Sequence, residues 1–169
     1  MRDYRGFGVK QPIVAYGGTV DQTVLPSQGA TAEGIISTFG YSTTLDNPEN
    51  KAFVKAVGKS ANAYTEDGYA AAAAVDAALA KITKSADASA IKDALKGLSF
   101  TSARGKIAFD KYGQGVFDMY VRKVTKQDGA YVNKVIDTID DVSQFWSIPA
   151  DKYLQLPSYE SLKGSWAGK

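Results

Sequence analysis

The sequence predicts a mixed α/β fold, and three observations along the chain lead to that prediction. Two short apolar segments, residues 12–16 and 34–39, have the composition of strands and flank a short helical segment. Three segments with helical spacing follow over residues 47–98, and beyond Phe100 the apolar residues alternate. This order is typical of an α/β body that ends in antiparallel strands.

The first strand is predicted at residues 12–16, where an apolar run lies between Pro12 and the pair Gly17-Gly18. A short apolar run bounded by such residues indicates a buried strand. A short helix is expected near residues 21–28, limited by Pro26, before the second strand at residues 34–39.

The first long helix is predicted to begin after Asn47, because asparagine caps a helix well and Pro48 suits the first helical position. The second is expected from about Thr65 to about Ile82. Its alanine run, residues 70–74, either packs closely on a sheet or reflects helix propensity alone. The third begins after Asp87. The expected apolar faces are Phe53, Val54 and Val57, then Val75, Leu79 and Ile82, then Ile91, Leu95 and Leu98.

The last part of the chain is predicted to be antiparallel. A strand is expected at residues 105–110, and a hairpin joins residues 116–125 to 131–139 around Asp128-Gly129. From Val142 onward an aromatic and proline-rich tail follows, which we expect to lie along the surface and to be held by its rings.

Composition excludes several kinds of chemistry. The 169 residues include neither cysteine nor histidine, which removes thiolate and imidazole nucleophiles, bases and metal ligands. The formal net charge is +2 with acids and bases interspersed, so nucleic-acid binding is not expected. The glycine pairs complete no nucleotide-binding motif, and the acidic cluster Asp137, Asp140 and Asp141 fits a solvated strand end better than a metal site. The sequence therefore predicts no enzyme, no cofactor and no metal.

Four residues are candidates for ligand binding. Tyr16, Gly17 and Gly18 lie where the first strand ends, and ligands of α/β sheets bind beyond the carboxyl ends of strands. Tyr64 is expected just before the second helix, where an aromatic ring could stack on an organic anion. An ordinary turn at Gly17-Gly18 and a hydrophobic staple at Tyr64 are the structural alternatives.

Several segments together resemble one family. Residues 47–54 read Asn-Pro-Glu-Asn-Lys-Ala-Phe-Val, and Tyr64 is followed by Gly68-Tyr69-Ala70-Ala71. This series is similar to the solute-binding proteins of ABC importers, specifically the leucine/isoleucine/valine-binding type with the type I periplasmic fold. Further similar steps are Ala32-Glu33-Gly34, Ser102-Ala103-Arg104-Gly105, Phe109-Asp110 and Val142-Ser143-Gln144-Phe145-Trp146.

The resemblance implies that the chain is the C-terminal half of a two-lobed protein, with Met1 inside a helix of the second lobe. Residues 1–46 would be a β-α-β remnant of the second lobe, and residues 47–104 a helical segment that crosses to the first. Residues 105–141 would supply a strand and the hairpin, and residues 142–169 the tail. A periplasmic location and a membrane permease as partner are also implied.

The resemblance also bears on the ligand. In branched-chain amino-acid binders an acidic residue after the first strand holds the ligand ammonium, and here that position is Gly17. A buried ammonium without a counter-charge is costly, so a ligand without an amine is favoured. Tyr64 falls where the family places an aromatic ring against the ligand.

The expected function is capture of a small organic acid, amide or amino-acid-like ligand for an ABC importer. The alternatives are a half-domain that self-associates through open strand edges into a homo-oligomer, and a sensor ectodomain without a transport role.

Overall fold

A computed structural model of the chain describes residues 1–83 and 87–157, and it confirms the predicted α/β class. Short 3-10 turns at Gly17–Val20, Gly29–Ala32 and Gly58–Ser60 connect some of the elements. The elements in chain order are α1 (Arg2–Gly6), β1 (Val14–Tyr16), α2 (Leu25–Gln28), β2 (Ile36–Phe39), α3 (Pro48–Val57), α4 (Ala63–Leu79), α5 (Ala88–Leu95), β3 (Ser99–Ser102), β4 (Gly105–Phe109), β5 (Gly115–Gln127), β6 (Ala130–Val142) and α6 (Ala150–Tyr153).

The strands form one sheet that is organised around the long hairpin of β5 and β6. The main path has the order β1-β2-β5-β4-β3, and β6 pairs with β5. Only β1 and β2 are parallel. Strand β6 pairs along one edge of β5. The other edge of β5 pairs with β4 at Phe117 and with β2 at Arg122. The hairpin therefore joins the β1-β2 part of the sheet to the β3-β4 part.

Two separate hydrophobic clusters lie within the described residues. One joins the β1-β2 region to β5 and consists of Val20, Leu25, Ala32, Ile35 and Val124. The other lies around α3 and the start of α4 and consists of Tyr41, Phe53, Ala61, Ala63 and Ala103. The chain thus has two centres of packing rather than one.

The caps predicted for the first and third long helices are confirmed. The side chain of Asn47 accepts a hydrogen bond from the Asn50 amide at 2.6 Å, and that of Asp87 accepts one from the Ala90 amide at 2.8 Å. Helix α4 begins two residues earlier than predicted, because Asn62 and Thr65 form a reciprocal capping box. Tyr64 consequently lies inside the first turn of α4 and not before it.

The buried face of α4 differs from the predicted one. The structure buries Glu66, Ala70, Ala74 and Ala78 at helical spacing. Val75 and Leu79, which the periodicity favoured as core residues, are 45% and 42% exposed. The alanine stripe faces inward because helix α4 packs against strand β3, and small side chains permit that close approach.

Strand β1 is an edge strand and not the fully buried strand that its apolar run predicts. Val14 and Tyr16 are 76% and 70% exposed, whereas Ile13 and Ala15 pack on the first cluster. One face of the strand is covered and the other is open. Strand β3 was not predicted separately, since its four residues lack an apolar run.

The hairpin and the start of the tail agree with the sequence. Asp128 and Gly129 both have positive φ angles, 48° and 83°, as a two-residue type I′ turn requires. Phe145 is buried between the rings of Tyr112 and Tyr153, so the tail is held by aromatic contacts at this point. The tail residues 158–169, including Tyr159 and Trp166, lie outside the described residues. No helix in the described part of the chain is long and apolar enough to cross a bilayer.

Candidate functional site

The structure brings Tyr16, Gly18 and Tyr64 together at the end of β1. A Cβ atom placed on Gly18 would lie 2.7 Å from Tyr16 Cε1 and 3.2 Å from the Tyr64 hydroxyl oxygen. Both rings are open to solvent, with Tyr16 70% and Tyr64 55% exposed. The three residues therefore form one surface, in which two aromatic side chains lie beside bare backbone.

Gly17 has a different part in this surface, because it is buried against the side chain of Phe39. A Cβ atom on Gly17 would lie 2.5 Å from Phe39 Cγ, well inside van der Waals contact. Phe39 is itself fixed edge-on against Tyr16, with ring centroids 5.5 Å apart. The absence of a side chain at Gly17 thus lets β2 approach the turn after β1.

Alanine substitutions at Gly17 and Gly18 are expected to differ in their effect on stability. Gly17→Ala should lower the free energy of unfolding by about 1–3 kcal/mol, since Phe39 must move to make room. Gly18→Ala meets two exposed rings that can move, so its effect on the free energy of unfolding should stay within about 0.5 kcal/mol. Urea unfolding measures both, and an equal loss for the two variants would contradict this geometry.

Arg122 supports Gly17 from inside the protein. Its Nη2 donates to the Gly17 carbonyl at 3.0 Å and to Ser37 Oγ at 3.2 Å, and its Nη1 donates to the Tyr41 carbonyl at 2.7 Å. The side chain is almost fully buried, and its guanidinium lies 5.0 Å from the centroid of the Phe39 ring. Burial lowers the pKa of Arg122 to about 10, although the nearby charge of Asp21 acts to raise it. Arg122 therefore remains charged at neutral pH.

Asp21 is the first carboxylate after β1, and backbone amides already occupy it. Oδ1 accepts from the Thr23 amide at 3.0 Å, and Oδ2 accepts from the Ala63 amide at 3.3 Å. The residue is only 2% exposed. It does not face the surface formed by the two tyrosines as a free counter-charge for a ligand.

A small polar cavity of about 10 Å³ lies beside these charged residues, and it has room for about one water molecule. Among the atoms that the structure describes, Arg122 Nε and Asn133 Oδ1 have no hydrogen-bond partner. The residues around the cavity include Asp21, Ser42, Asn62, Arg122 and Asn133. Polar contacts therefore continue from the candidate surface to the hairpin.

A second polar cluster fastens the first turn of α4 to the β3-β4 turn. Glu66 Oε1 accepts from Ser102 Oγ at 2.7 Å and from the Arg104 amide at 3.2 Å, and Oε2 accepts from Arg104 Nε at 2.5 Å. Arg104 Nη2 also pairs with Asp67. Glu66 is fully buried, so this cluster is part of the packing and is closed to a ligand.

Sequence reasoning missed Arg122, Asp21 and the role of Glu66, although two of them left a signal. Arg122 alternates with buried Tyr120 and Val124 along β5, so a charge occupies a position that faces the core. Glu66 is in line with the buried alanines of α4, so its spacing places it on the inner face of the helix.

Metal binding is not supported by the residues that the structure describes. Within residues 1–83 and 87–157, no three acidic side chains are placed where they could hold a metal ion. At the candidate surface itself, the chemistry available comes from aromatic rings, phenolic hydroxyls and backbone, which suits binding.

Comparison with known proteins agrees with the resemblance seen in the sequence. A family model described as periplasmic binding protein matches residues 1–130. The Leu/Ile/Val-binding protein homolog 6 of Brucella abortus is 30% identical over 151 residues, which cover 83% of this chain and 39% of that protein.

Solved structures show the same relationship. An ABC transporter substrate-binding protein from Sphaerobacter thermophilus aligns with a TM-score of 0.77 and 30% identity, covering 82% of this chain and 40% of that one. A solute-binding protein of an ABC transporter from Rhodopseudomonas palustris BisB5, in complex with 3,4-dihydroxybenzoic acid, aligns with a TM-score of 0.76 and 29% identity, covering 85% of this chain and 42% of that one.

The matches cover much of this chain but a smaller share of each relative. The chain spans about two fifths of the length of the proteins that it matches. Its sheet of six strands corresponds to part of the type I periplasmic binding protein fold, as the sequence predicted. The chain belongs to the periplasmic binding protein family.

Proposed function

We propose that this chain supplies one wall of the ligand cleft of a solute-binding receptor. The observation that carries the proposal is the surface in which Tyr16 and Tyr64 lie beside Gly18 at the end of β1. Two exposed rings beside bare backbone suit a small organic ligand, because the rings offer apolar faces and the phenols offer hydrogen bonds.

The ligand class that this wall favours is a small organic acid with an aromatic ring. Gly17 stands where a counter-charge for an amine would be needed, and Asp21 is buried with both carboxylate oxygens engaged. An ammonium group at this wall would lose hydration without gaining a carboxylate partner, which is unfavourable. The relative from Rhodopseudomonas palustris BisB5 was solved with a dihydroxybenzoic acid, which is consistent with this choice.

The proposed role places the protein in the periplasm with an ABC permease as its partner. The receptor would close on its ligand by a hinge motion and present the closed form to the permease. Binding rather than catalysis is its whole activity in this proposal. The family membership supports both points, because the matched relatives are described as binding proteins of transporters.

Saturation-transfer NMR on the 169-residue chain tests the ligand class. We expect transfer to 4-hydroxybenzoate, and none to leucine or to 4-hydroxybenzylamine, which has the same ring with an amine. The dissociation constant should be millimolar, about 4 kcal/mol of binding free energy, because only one wall is present. Equal transfer to leucine, or no transfer to 4-hydroxybenzoate at millimolar concentration, would contradict the proposal.

Self-association is the second candidate, and the open ends of the sheet favour it. Strands β1, β3 and β6 each pair with a single strand within the described residues, so each has one open edge. Helix α5 also buries none of its residues completely, and its Ile91 and Leu95 line an open groove with Phe109 and Tyr112. Light scattering distinguishes the candidates, since a stable species of 18.0 kDa would contradict self-association and a dimer would support it.

A further inference from the structure

We propose that Asp21 is a positioning residue for the ligand wall: its carboxylate fastens the first turn of α4 to the turn after β1, and so places Tyr64 beside Gly18. This inference rests on the proposed function for its meaning in ligand binding. Its structural content, the fastening itself, is independent of any ligand.

The fastening consists of one hydrogen bond within the turn after β1 and one between parts of the chain that are distant in sequence. The Asp21 amide donates to the Gly18 carbonyl at 3.4 Å, and Asp21 Oδ2 accepts from the Ala63 amide at 3.3 Å. Ala63 is 42 positions away from Asp21 and immediately precedes Tyr64. Two hydrogen bonds thus lead from the backbone of Gly18 to the neighbour of Tyr64.

A carboxylate is well suited to this place because Ala63 is the first residue of α4. The first amides of a helix have no acceptor within the helix, and the helix dipole favours a negative charge there. Asn62 Oδ1 accepts from the amides of Tyr64 and Thr65, at 2.9 and 3.0 Å. Asp21 accepts from the amide of Ala63, which Asn62 does not bind. The side chains of Asp21 and Asn62 together therefore accept from the first three amides of α4.

The surroundings of Asp21 hold its carboxylate rigidly. Oδ1 accepts from the Thr23 amide, so both oxygens are fixed by backbone. Asp21 and Ala63 are 2% and 3% exposed, and water has little access to the bond between them. The guanidinium of Arg122 lines the same small cavity as Asp21.

The position of Tyr64 follows from this arrangement. Its hydroxyl reaches to within 3.2 Å of the point that a Cβ of Gly18 would occupy, a point that lies 2.7 Å from Tyr16 Cε1. Tyr64 is 55% exposed, so few contacts of its own hold it there. The backbone of the first turn of α4 must therefore determine where the ring lies, and Asp21 fixes that turn against the Gly18 turn.

The test is the substitution Asp21→Asn in the full chain, with amide exchange and nuclear Overhauser contacts measured in the absence of ligand. We expect the Ala63 amide to exchange with solvent about tenfold faster, since one charged acceptor is lost. The nuclear Overhauser contact between the Tyr64 ring and Gly18 should weaken, while protection of the Val124 amide in β5 stays unchanged. A variant that loses protection everywhere, or one that keeps both the Ala63 protection and the ring contact, would overturn the proposal.

A matched control and a second variant keep the test decisive. Asp87→Asn removes the same charge from the start of α5, where Asp87 caps the Ala90 amide, and should leave Tyr64 and Gly18 unaffected. Asp21→Glu keeps the charge but lengthens the side chain, so protection of Ala63 should fall less than in Asp21→Asn. In the unmodified chain, free exchange of the Ala63 amide would overturn the proposal before any variant is made.

Ligand binding then separates this inference from the proposed function. If both hold, Asp21→Asn also reduces saturation transfer to 4-hydroxybenzoate several-fold, and Asp87→Asn does not. If the ring contact and amide exchange change as expected but the unmodified chain binds no aromatic acid, the fastening stands and the proposed function fails.

Discussion

Replacing Glu66 with glutamine is expected to lower the free energy of unfolding by about 3 kcal/mol. The Glu66 carboxylate is fully buried and accepts hydrogen bonds from Ser102, from the Arg104 amide and from the Arg104 side chain. The Arg104 side chain is only 11% exposed, so the substitution leaves most of a guanidinium buried beside a neutral amide. Burying a charge without its main partner is among the most destabilising changes.

Asp67→Asn is the matched control for this prediction, because Asp67 pairs with the same arginine from the surface. The Asp67 side chain is 60% exposed, and ion pairs with that access to water contribute less than about 1 kcal/mol. Urea unfolding of the two variants measures the difference. Equal losses would show that the buried Glu66 contacts do not hold α4 against β3 and β4 as the structure indicates.

Replacing Arg122 with methionine is expected to cost about 2–4 kcal/mol in the free energy of unfolding. Methionine fills much of the same space but leaves the carbonyls of Gly17 and Tyr41 without the donor that each now has. Each buried polar group left without a partner costs roughly 1–3 kcal/mol. Removing a charge whose burial is itself unfavourable offsets part of the loss.

Lys123→Met provides the control, since Lys123 is the next residue of β5 and faces solvent. We expect its effect on the free energy of unfolding to stay within about 0.5 kcal/mol. The same urea titration applies, and the Phe39 resonances report whether the ring beneath the arginine has shifted. A loss for Lys123→Met as large as that for Arg122→Met would contradict the inward orientation of Arg122.

Local signals in the sequence were sufficient for the caps and the hairpin. Asn47, Asp87 and the pair Asp128-Gly129 act on backbone within a few residues, so their effect is readable without the rest of the fold. The predicted start of α4 was wrong by two residues, because the reciprocal capping box of Asn62 and Thr65 begins the helix at Ala63.

Burial depends on contacts between distant segments, and here the sequence was less informative. The apolar run at β1 predicts a strand with two covered faces, yet the sheet ends at β1 and leaves Val14 exposed. In α4 the largest apolar residues, Val75 and Leu79, suggest the core face, whereas close packing on β3 selects the alanines. Periodicity identifies a helix face but not the neighbour that will cover it.

The candidate site also combines features that local sequence predicts with contacts between distant segments that it does not. The position of Gly17 and Gly18 after a strand pointed to a ligand wall, and the structure places Tyr16 and Tyr64 beside Gly18. The groups that hold this wall, Arg122 and Asp21, lie 105 and 42 positions along the chain from the atoms that they bind. No spacing rule connects such residues, so only the fold reveals them.

The measurement that tests the central claim most directly is amide-resolved NMR of the 169-residue chain during titration with 4-hydroxybenzoate. If Tyr16, Gly17, Gly18 and Tyr64 form the ligand wall, the largest shift changes will fall on these four residues, and Gly18→Ala will reduce them. Shift changes confined to another surface, such as the groove between α5 and Tyr112, would contradict the claim, as would none at millimolar ligand.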